Sequence, residues 1–263
     1  MASATNNQLN VALLHIAPRP GDLEFNRRLI EDAIVTAAAQ GSHWVITPEL
    51  AVCGYTFAPL IGTNWISVQP DPWMARIGNL AARLGIVVFL SVPERDADSN
   101  LLYNATFVID RDGTICGKHR KLNPLRVGSE AWSTPGTEVT PIVAGGLSVG
   151  VMICADAYSP SIAKKLHSNG ARLFVSPAAW PPGEHGPDGE WERATSDTGL
   201  PLFVCNRTGQ DAILDFSHGE SVLAYGGSRL ISAASDMSVV LLFAWDLAGS
   251  RPERNTFRKI VLE

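Results

Sequence analysis

Apolar runs of strand length alternate along this chain with segments of helical period, and no other feature narrows the possible folds so far. The runs LNVALLHIA, HWVIT, IVVFLSV, LSVGVMIC, RLFVSP and LFVCN are nearly continuous in apolar residues, which is the pattern of strands covered on both faces. Between them, GDLEFNRRLIEDAIVTAAAQG places Phe25, Leu29, Ala33, Ile34 and Ala37 on one face, with an Asp near its start and Gly41 at its end. It reads as an amphipathic helix, and WMARIGNLAARLG, PSIAKKLHSNG and EWERATSDTG read as helices too. Such alternation predicts an α/β domain. YNATFVIDRDGTICGKHRK reads as a hairpin turning at Asp112 and Gly113. SVLAYGGSRLISAA and MSVVLLFAWDL read as a closing pair of strands, and SRPERNTFRK as a charged tail that is exposed or packed on a partner subunit.

At 263 residues, with no linker, internal repeat or low-complexity segment, the chain suits one domain with a substantial core. The net charge is −5 and the 21 Lys and Arg are dispersed, GKHRK being the only basic knot, which excludes a dedicated nucleic-acid binder. No apolar run approaches the roughly 20 residues that span a bilayer, and MASATNNQLN has neither the basic start nor the apolar centre of a signal peptide. No membrane association and a cytoplasmic location are therefore expected. Cys53, Cys116, Cys154 and Cys205 are far apart and show no Cys-x-x-Cys spacing, so they read as reduced thiols. With neither a metal-ligand cluster nor a phosphate-cradling glycine loop, no metal and no cofactor are expected. The Pro- and Gly-rich stretch WPPGEHGPDGEWE is either a substrate-contacting loop or a plain connection.

Three residues at strand ends carry chemistry. Glu49 follows HWVITP, where the carboxyl ends of strands line the ligand crevice of open α/β sheets and low-dielectric walls would raise a carboxyl pKa toward general-base use. By position alone it could equally be a cap just past the strand. Lys121 closes CGKHRK and, alone, reads as a solvated lysine. Cys154 ends LSVGVMIC with Asp156 close behind, and a lone cysteine there is more often core than nucleophile. If the three strand ends converge, however, they supply a base, an oxyanion-stabilising cation and a nucleophile, the set acyl transfer needs. Lysine would depress the thiol pKa while the carboxylate would push it up.

These residues lie in segments that resemble the nitrilase (carbon–nitrogen hydrolase) superfamily. PELAVCGY is similar to its glutamate segment, KHRKLNP to its lysine segment and GVMICADAYSP to its nucleophile segment, with separations of 72 and 33 residues. Further similarity runs through Glu130 and Trp132, SPAAWP, LPLFVCNRTG and FSHGESVLAYGGSRLISA. It covers residues from about 9 to 247 and leaves 248–263 as a tail. The resemblance implies a single carbon–nitrogen hydrolase domain over 1–263, folded as an αββα sandwich that pairs with a second copy into a four-layer αββα-αββα homodimer. It also implies no cofactor. Carried over, Cys154 is the nucleophile, Glu49 the general base, Lys121 the cation on the tetrahedral intermediate and Glu130 the second glutamate that positions the lysine and the substrate. The Ala155 backbone N–H is the second oxyanion donor. Tyr55 and Trp180 lie in segments similar to pocket walls, and equally suit ordinary core packing.

The run CAD at the nucleophile favours amide or carbamoyl chemistry within the family. Tyr158 stands where many amidase-type members carry an arginine, so a substrate carboxylate loses its expected partner there. KHRKLNP with Glu130, Ala131 and Trp132 resembles the nitrilase branch more closely, which leaves a small nitrile open. An acyltransferase on the same fold stays open too, because an amine can capture the thioester in place of water. A Cys–His hydrolase is disfavoured, since His15, His43, His119, His167, His185 and His218 carry no local signature for one. A non-catalytic scaffold is least favoured, all the family's catalytic residues being present.

Overall fold

In the computed structural model, which describes residues 7–125, 128–183, 186–211 and 213–262, the strand and helix alternation is realised with capped helices. Residues 1–6, His185 with its neighbour 184 in the Pro- and Gly-rich stretch, and Glu263 lie outside the described residues. The chain runs β1 (Gln8–His15), α1 (Leu23–Ala39), β2 (Trp44–Ile46), α2 (Ala58–Ile61), α3 (Pro72–Leu84), β3 (Val87–Arg95), β4 (Leu102–Ile109) and β5 (Ile115–Arg120). It continues through β6 (Ile142–Ala144), β7 (Leu147–Val151), α4 (Pro160–Ser168), β8 (Leu173–Ala178), α5 (Glu190–Thr198) and β9 (Leu202–Asn206). It ends with β10 (Ser221–Tyr225), β11 (Ser228–Ala233), β12 (Val239–Asp246), β13 (Arg251–Pro252) and β14 (Arg258–Val261). Asp22 caps α1 by accepting the Phe25 N–H at 3.1 Å, and Asp71 caps α3 by accepting that of Met74 at 2.7 Å, each satisfying an otherwise orphaned donor of a first turn. Gly85 ends α3 in the left-handed region at φ 66°, a conformation that glycine adopts without steric cost.

The described strands form two mixed sheets. One has the order β13-β12-β1-β2-β3-β4-β5 with β14 also on β12, and the other β11-β10-β9-β8-β7-β6. Parallel strands occupy the middle of each, β1-β2-β3 in the first and β7-β8-β9 in the second. Leu9, Val11, Leu13, Trp44 and Ile46 face Val149, Val151 and Phe174 across the space between the sheets. On the opposite face of the first sheet, Ala12, Leu14, Val45, Val88 and Leu90 pack with Ile30, Ala33 and Ile34 of α1 and Met74 and Ile77 of α3. Helix α4 packs on β7, and α5 on β9 and β10. The result is an αββα sandwich, in which each buried Val, Leu or Ile contributes roughly 1.5–3 kcal/mol.

Two expectations change. Helix α1 buries Asn26 and Ile30 with Ala33, Ile34 and Ala37, so its inward face is rotated from the one through Phe25 and Leu29. The rotation follows from Asn26, whose carboxamide accepts the Arg19 N–H at 2.7 Å and donates to the Arg19 and Val52 carbonyls at 2.7 and 3.2 Å. The expected closing pair is three strands in two sheets: SVLAYGGSRLISA is itself the β10–β11 hairpin at one edge of the second sheet, whereas β12 crosses back to lie antiparallel to β1. The charged tail is exposed over most of its length, as expected, and two short strands within it, β13 and β14, pair with β12.

Candidate active site

Strand ends from both sheets deliver the candidate residues to one place. β2 stops at Ile46, and the chain turns through Glu49 with the Glu49 N–H on the Ala178 carbonyl of β8 at 3.3 Å and the Leu50 N–H on Ser91 Oγ of β3 at 3.4 Å. Lys121 follows β5, its N–H on the Asn104 carbonyl at 2.8 Å and its own carbonyl accepting the Gly136 N–H at 2.7 Å. A Cβ at position 136 would collide with the Arg120 carbonyl, so only glycine permits this approach. Glu130 closes a short 3-10 turn over Gly128–Glu130.

β7 ends at Val151, three residues short of Cys154, which starts a second 3-10 turn over Cys154–Tyr158. The Cys154 backbone has φ 46°. A non-glycine residue there costs of order 1–3 kcal/mol and persists only when its surroundings hold it. Asp156 supplies that hold. Its Oδ2 accepts the Ile153 N–H at 2.9 Å and meets His119 Nε2 at 2.9 Å, while its Oδ1 accepts the Leu122 and Asn123 N–H groups at 2.9 and 2.8 Å. One carboxylate therefore ties the turn that carries Cys154 to the segment directly after Lys121.

Glu49, Lys121 and Glu130 are completely buried. Lys121 Nζ donates to Glu49 Oε1 at 2.7 Å and to Glu130 Oε2 at 2.6 Å. Glu49 Oε2 accepts the Ala179 N–H at 3.0 Å, and the Cys154 thiol is among the groups that act on the Glu49 carboxyl. Glu130 also accepts the Tyr55 hydroxyl at 3.0 Å and the Leu125 N–H at 3.2 Å. Asn104 donates through Nδ2 to both carboxylates, at 2.7 Å to Glu49 Oε1 and 2.8 Å to Glu130 Oε1.

The charges settle accordingly. Burial pushes the Glu49 carboxyl up; the Lys121 ammonium opposes this and Glu130 adds to it. Burial works against the Lys121 ammonium, but Glu49 and Glu130 outweigh it and hold the amine protonated. The Cys154 thiol is raised well above its ordinary value by burial and then by Glu49, against the smaller pull of Lys121. The opposed pushes on this thiol thus end in a neutral S–H, held in one buried cluster with the Glu49 carboxyl and the Lys121 ammonium.

Of the pocket candidates, Tyr55 is buried with its hydroxyl committed to Glu130 and its ring edge-on to Phe216. Trp180 stands edge-on between Tyr158 and Trp191, at ring separations of 4.8 and 5.3 Å, and its backbone is pinned on both sides by Asn206. Tyr158 is 43% exposed and Ala155 is buried in the Cys154 turn. A cleft of about 510 Å³ between Asn10, Gln40, Ser42, Arg254 and Arg258 contains none of these residues. Among the described residues no group of three or more His, Cys, Asp or Glu side chains could hold a metal ion, and no helix is long and apolar enough to cross a membrane.

Asn104 and His119 are residues of this cluster that the sequence alone does not mark out. A lone carboxamide inside LYNATFVI, an otherwise apolar strand, was the available signal for Asn104, because a buried amide needs partners.

A carbon–nitrogen hydrolase family model matches residues 10–241. A probable nitrilase of Schizosaccharomyces pombe is 24% identical over 94% of this chain and 92% of its own, and an N-carbamoylputrescine amidase of Solanum tuberosum 28% identical over 95% and 90%. The fold superposes with a TM-score of 0.80, at 23% identity and 94% coverage of both chains, on a mutant amidase of Nesterenkonia sp. AN1 in which the acetamide moiety of fluoroacetamide is covalently added at the active-site cysteine.

Proposed function

The chain belongs to the carbon–nitrogen hydrolase family, and we propose that it cleaves the C–N bond of a small amide or carbamoyl compound through a thioester on Cys154. The observation that carries this reading is the buried Glu49–Lys121 pair, Oε1 to Nζ 2.7 Å, in one cluster with the buried Cys154 thiol, on which both charges act.

Glu49 takes the thiol proton as sulfur attacks the carbonyl carbon, and the carbonyl π pair moves to oxygen. The oxyanion is held by Lys121 Nζ and the Ala155 N–H, donors fixed before the charge develops. When the intermediate collapses, the C–N bond breaks and the proton on Glu49 passes to the departing ammonia or amine. Water then gives a proton to Glu49 and attacks the thioester; the C–S bond breaks and that proton returns to sulfur. Glu130, held by Lys121, Tyr55, Asn104 and the Leu125 N–H, keeps the ammonium aimed. The buried group carries the same net charge before and after proton transfer, so the step exposes no new unbalanced charge to the low-dielectric interior.

Amide or carbamoyl substrates are favoured over nitriles by the CAD run at the nucleophile and by the amidase named among the relatives. Trp180 and Tyr158, in edge-to-face contact, form an aromatic wall of the pocket, with Tyr55 behind Glu130. The same reading takes the chain as one catalytic domain and two copies as a four-layer dimer, which light scattering at micromolar concentration tests.

Intact mass after incubation with short amides, carbamoyl compounds and nitriles tests the chemistry. An acyl adduct on Cys154 with an amide or carbamoyl compound, absent from Cys154→Ala, is expected. Product formation by Cys154→Ala at the wild-type rate sinks the acyl-enzyme, and an adduct with nitriles alone moves the substrate class.

A further inference from the structure

Asn104 sits in the interior of β4, completely buried, with its Nδ2 between the two carboxylates that share Lys121. Its orientation is fixed by chemistry. Both Glu49 Oε1 and Glu130 Oε1 are paired as acceptors, so only the NH2 end of the carboxamide can face them. That leaves Asn104 Oδ1 buried with no hydrogen-bond partner. A buried acceptor left unmade is a cost, and an apolar side chain would avoid it. The amide is therefore in place for what its NH2 does.

On Glu49 the donors are unevenly divided. Oε1 accepts both Lys121 Nζ at 2.7 Å and Asn104 Nδ2 at 2.7 Å, which uses its two lone pairs, whereas the bond recorded on Oε2 from the backbone is the Ala179 N–H at 3.0 Å. We propose that Asn104 is a positioning residue of the reaction: it bridges Glu49 and Glu130, occupies Glu49 Oε1, and leaves Oε2 as the oxygen that takes the thiol proton. The inference rests on the reading of Glu49 as general base. In that setting the bridge does two things. It stops the carboxylate from rotating Oε1 toward sulfur, and it stabilises the ionised form of a base that burial would otherwise neutralise.

The titratable groups facing Glu49 are Lys121, Glu130, Cys154, Tyr55 and Cys53. Burial pushes the Tyr55 phenol and the Cys53 and Cys154 thiols up, which keeps all three neutral, so Lys121 and Glu130 are the charged neighbours. Asn104 is the neutral donor common to both acids.

The test follows alkylation of the Cys154 peptide by iodoacetamide against pH, a readout that needs no substrate. Peptide-resolved mass spectrometry separates it from Cys116, which is exposed. The wild-type rate should rise with pH through the Glu49 ionisation. Asn104→Leu, which keeps the volume and removes the donor, should move that rise up by about 1 to 2 pH units, the worth of one hydrogen bond to a charged group. Asn104→Asp should move it further, because a third carboxylate is added around one ammonium, and it gives the same reading should the leucine variant fail to fold. Thermal melts establish folding. A folded Asn104→Leu or Asn104→Asp whose profile superimposes on wild type overturns the proposal. Glu49→Gln separates the two levels: if it abolishes the rise while the folded Asn104 variants leave it in place, Asn104 alone is wrongly assigned. If Glu49→Gln keeps the wild-type profile, the general-base reading falls and this proposal with it.

Discussion

His119 and Asp156 meet at 2.9 Å with side chains 3% and 0% exposed, and through this pair the lysine-bearing hairpin is fastened to the turn that carries Cys154. Asp156 accepts three backbone N–H groups besides, two from Leu122 and Asn123 and one from Ile153. Asp156→Asn keeps the shape but turns an NH2 toward groups that are themselves donors. A loss of about 2 kcal/mol or more follows, from donors left unsatisfied in the interior. Activity should fall further than stability predicts, by about tenfold or more at saturating substrate, because the Cys154 and Lys121 segments lose their common anchor. Urea denaturation and kcat on the same preparation check this; an unchanged unfolding midpoint would remove Asp156 as the anchor.

Which features could be read from the sequence follows from where the signals sit. Glu49, Lys121 and Cys154 stand at the ends of apolar strands, where a charged or reactive group is conspicuous, and their segments also resemble a family pattern. Glu130 entered only through that resemblance, since nothing in GSEAW marks a buried acid. Asn104 was hidden for the opposite reason: it lies inside β4, and its chemistry appears only when Glu49 and Glu130 arrive from distant segments. Strand β6 has three residues and β13 two, too short for any period to show. The inward face of α1 differs from the one its apolar residues predict because a buried Asn26, bonded to the Arg19 and Val52 backbone, is invisible to a count of apolar residues.

The raised Glu49 carboxyl has a direct kinetic consequence. On the proposed mechanism Glu49 must be ionised to accept the thiol proton, so activity is present above its folded-state pKa and is lost as pH falls through it. Burial, the largest influence, puts that limb above the ordinary glutamate value of about 4.3. The profile of kcat/KM against pH should show an acid limb displaced upward, absent in Glu49→Gln. A limb at or below the ordinary carboxylate range would contradict the buried environment.

His15 predicts a different pH effect, on stability. Its ring is fully buried at the end of β1, with Nδ1 3.0 Å from Ser221 Oγ and Nε2 without a partner, and burial lowers its pKa to about 4. The unfolded chain therefore binds the proton more readily than the folded one between the ordinary value of 6.5 and about 4. The contribution is intact above that window and is lost as pH falls through it, by about 3 kcal/mol in all. Chemical denaturation at a series of pH values should show this decline, and His15→Gln should flatten it. Parallel curves for the two proteins would rule His15 out as the source.

Lys121 is the single ammonium between two buried carboxylates, and its removal should be felt in three measurements. In Lys121→Ala the Glu49 and Glu130 charges lose their common partner, and one of them takes up a proton instead of remaining buried and unpaired. With the opposing pull of Lys121 gone, the Glu49 pKa rises further and the acid limb of kcat/KM moves up again. The Cys154 thiol loses the one charged group that lowers its pKa among the principal influences on it, so iodoacetamide should react with it more slowly. On the proposed mechanism the oxyanion loses a preorganised donor, which costs roughly 100- to 1,000-fold in kcat. Lys121→Arg should not restore activity, because a side chain with no exposed surface leaves no room for the larger planar guanidinium. Hydrolysis by Lys121→Ala within a fewfold of wild type would exclude the lysine from the reaction and leave it a purely structural counter-ion for Glu49 and Glu130.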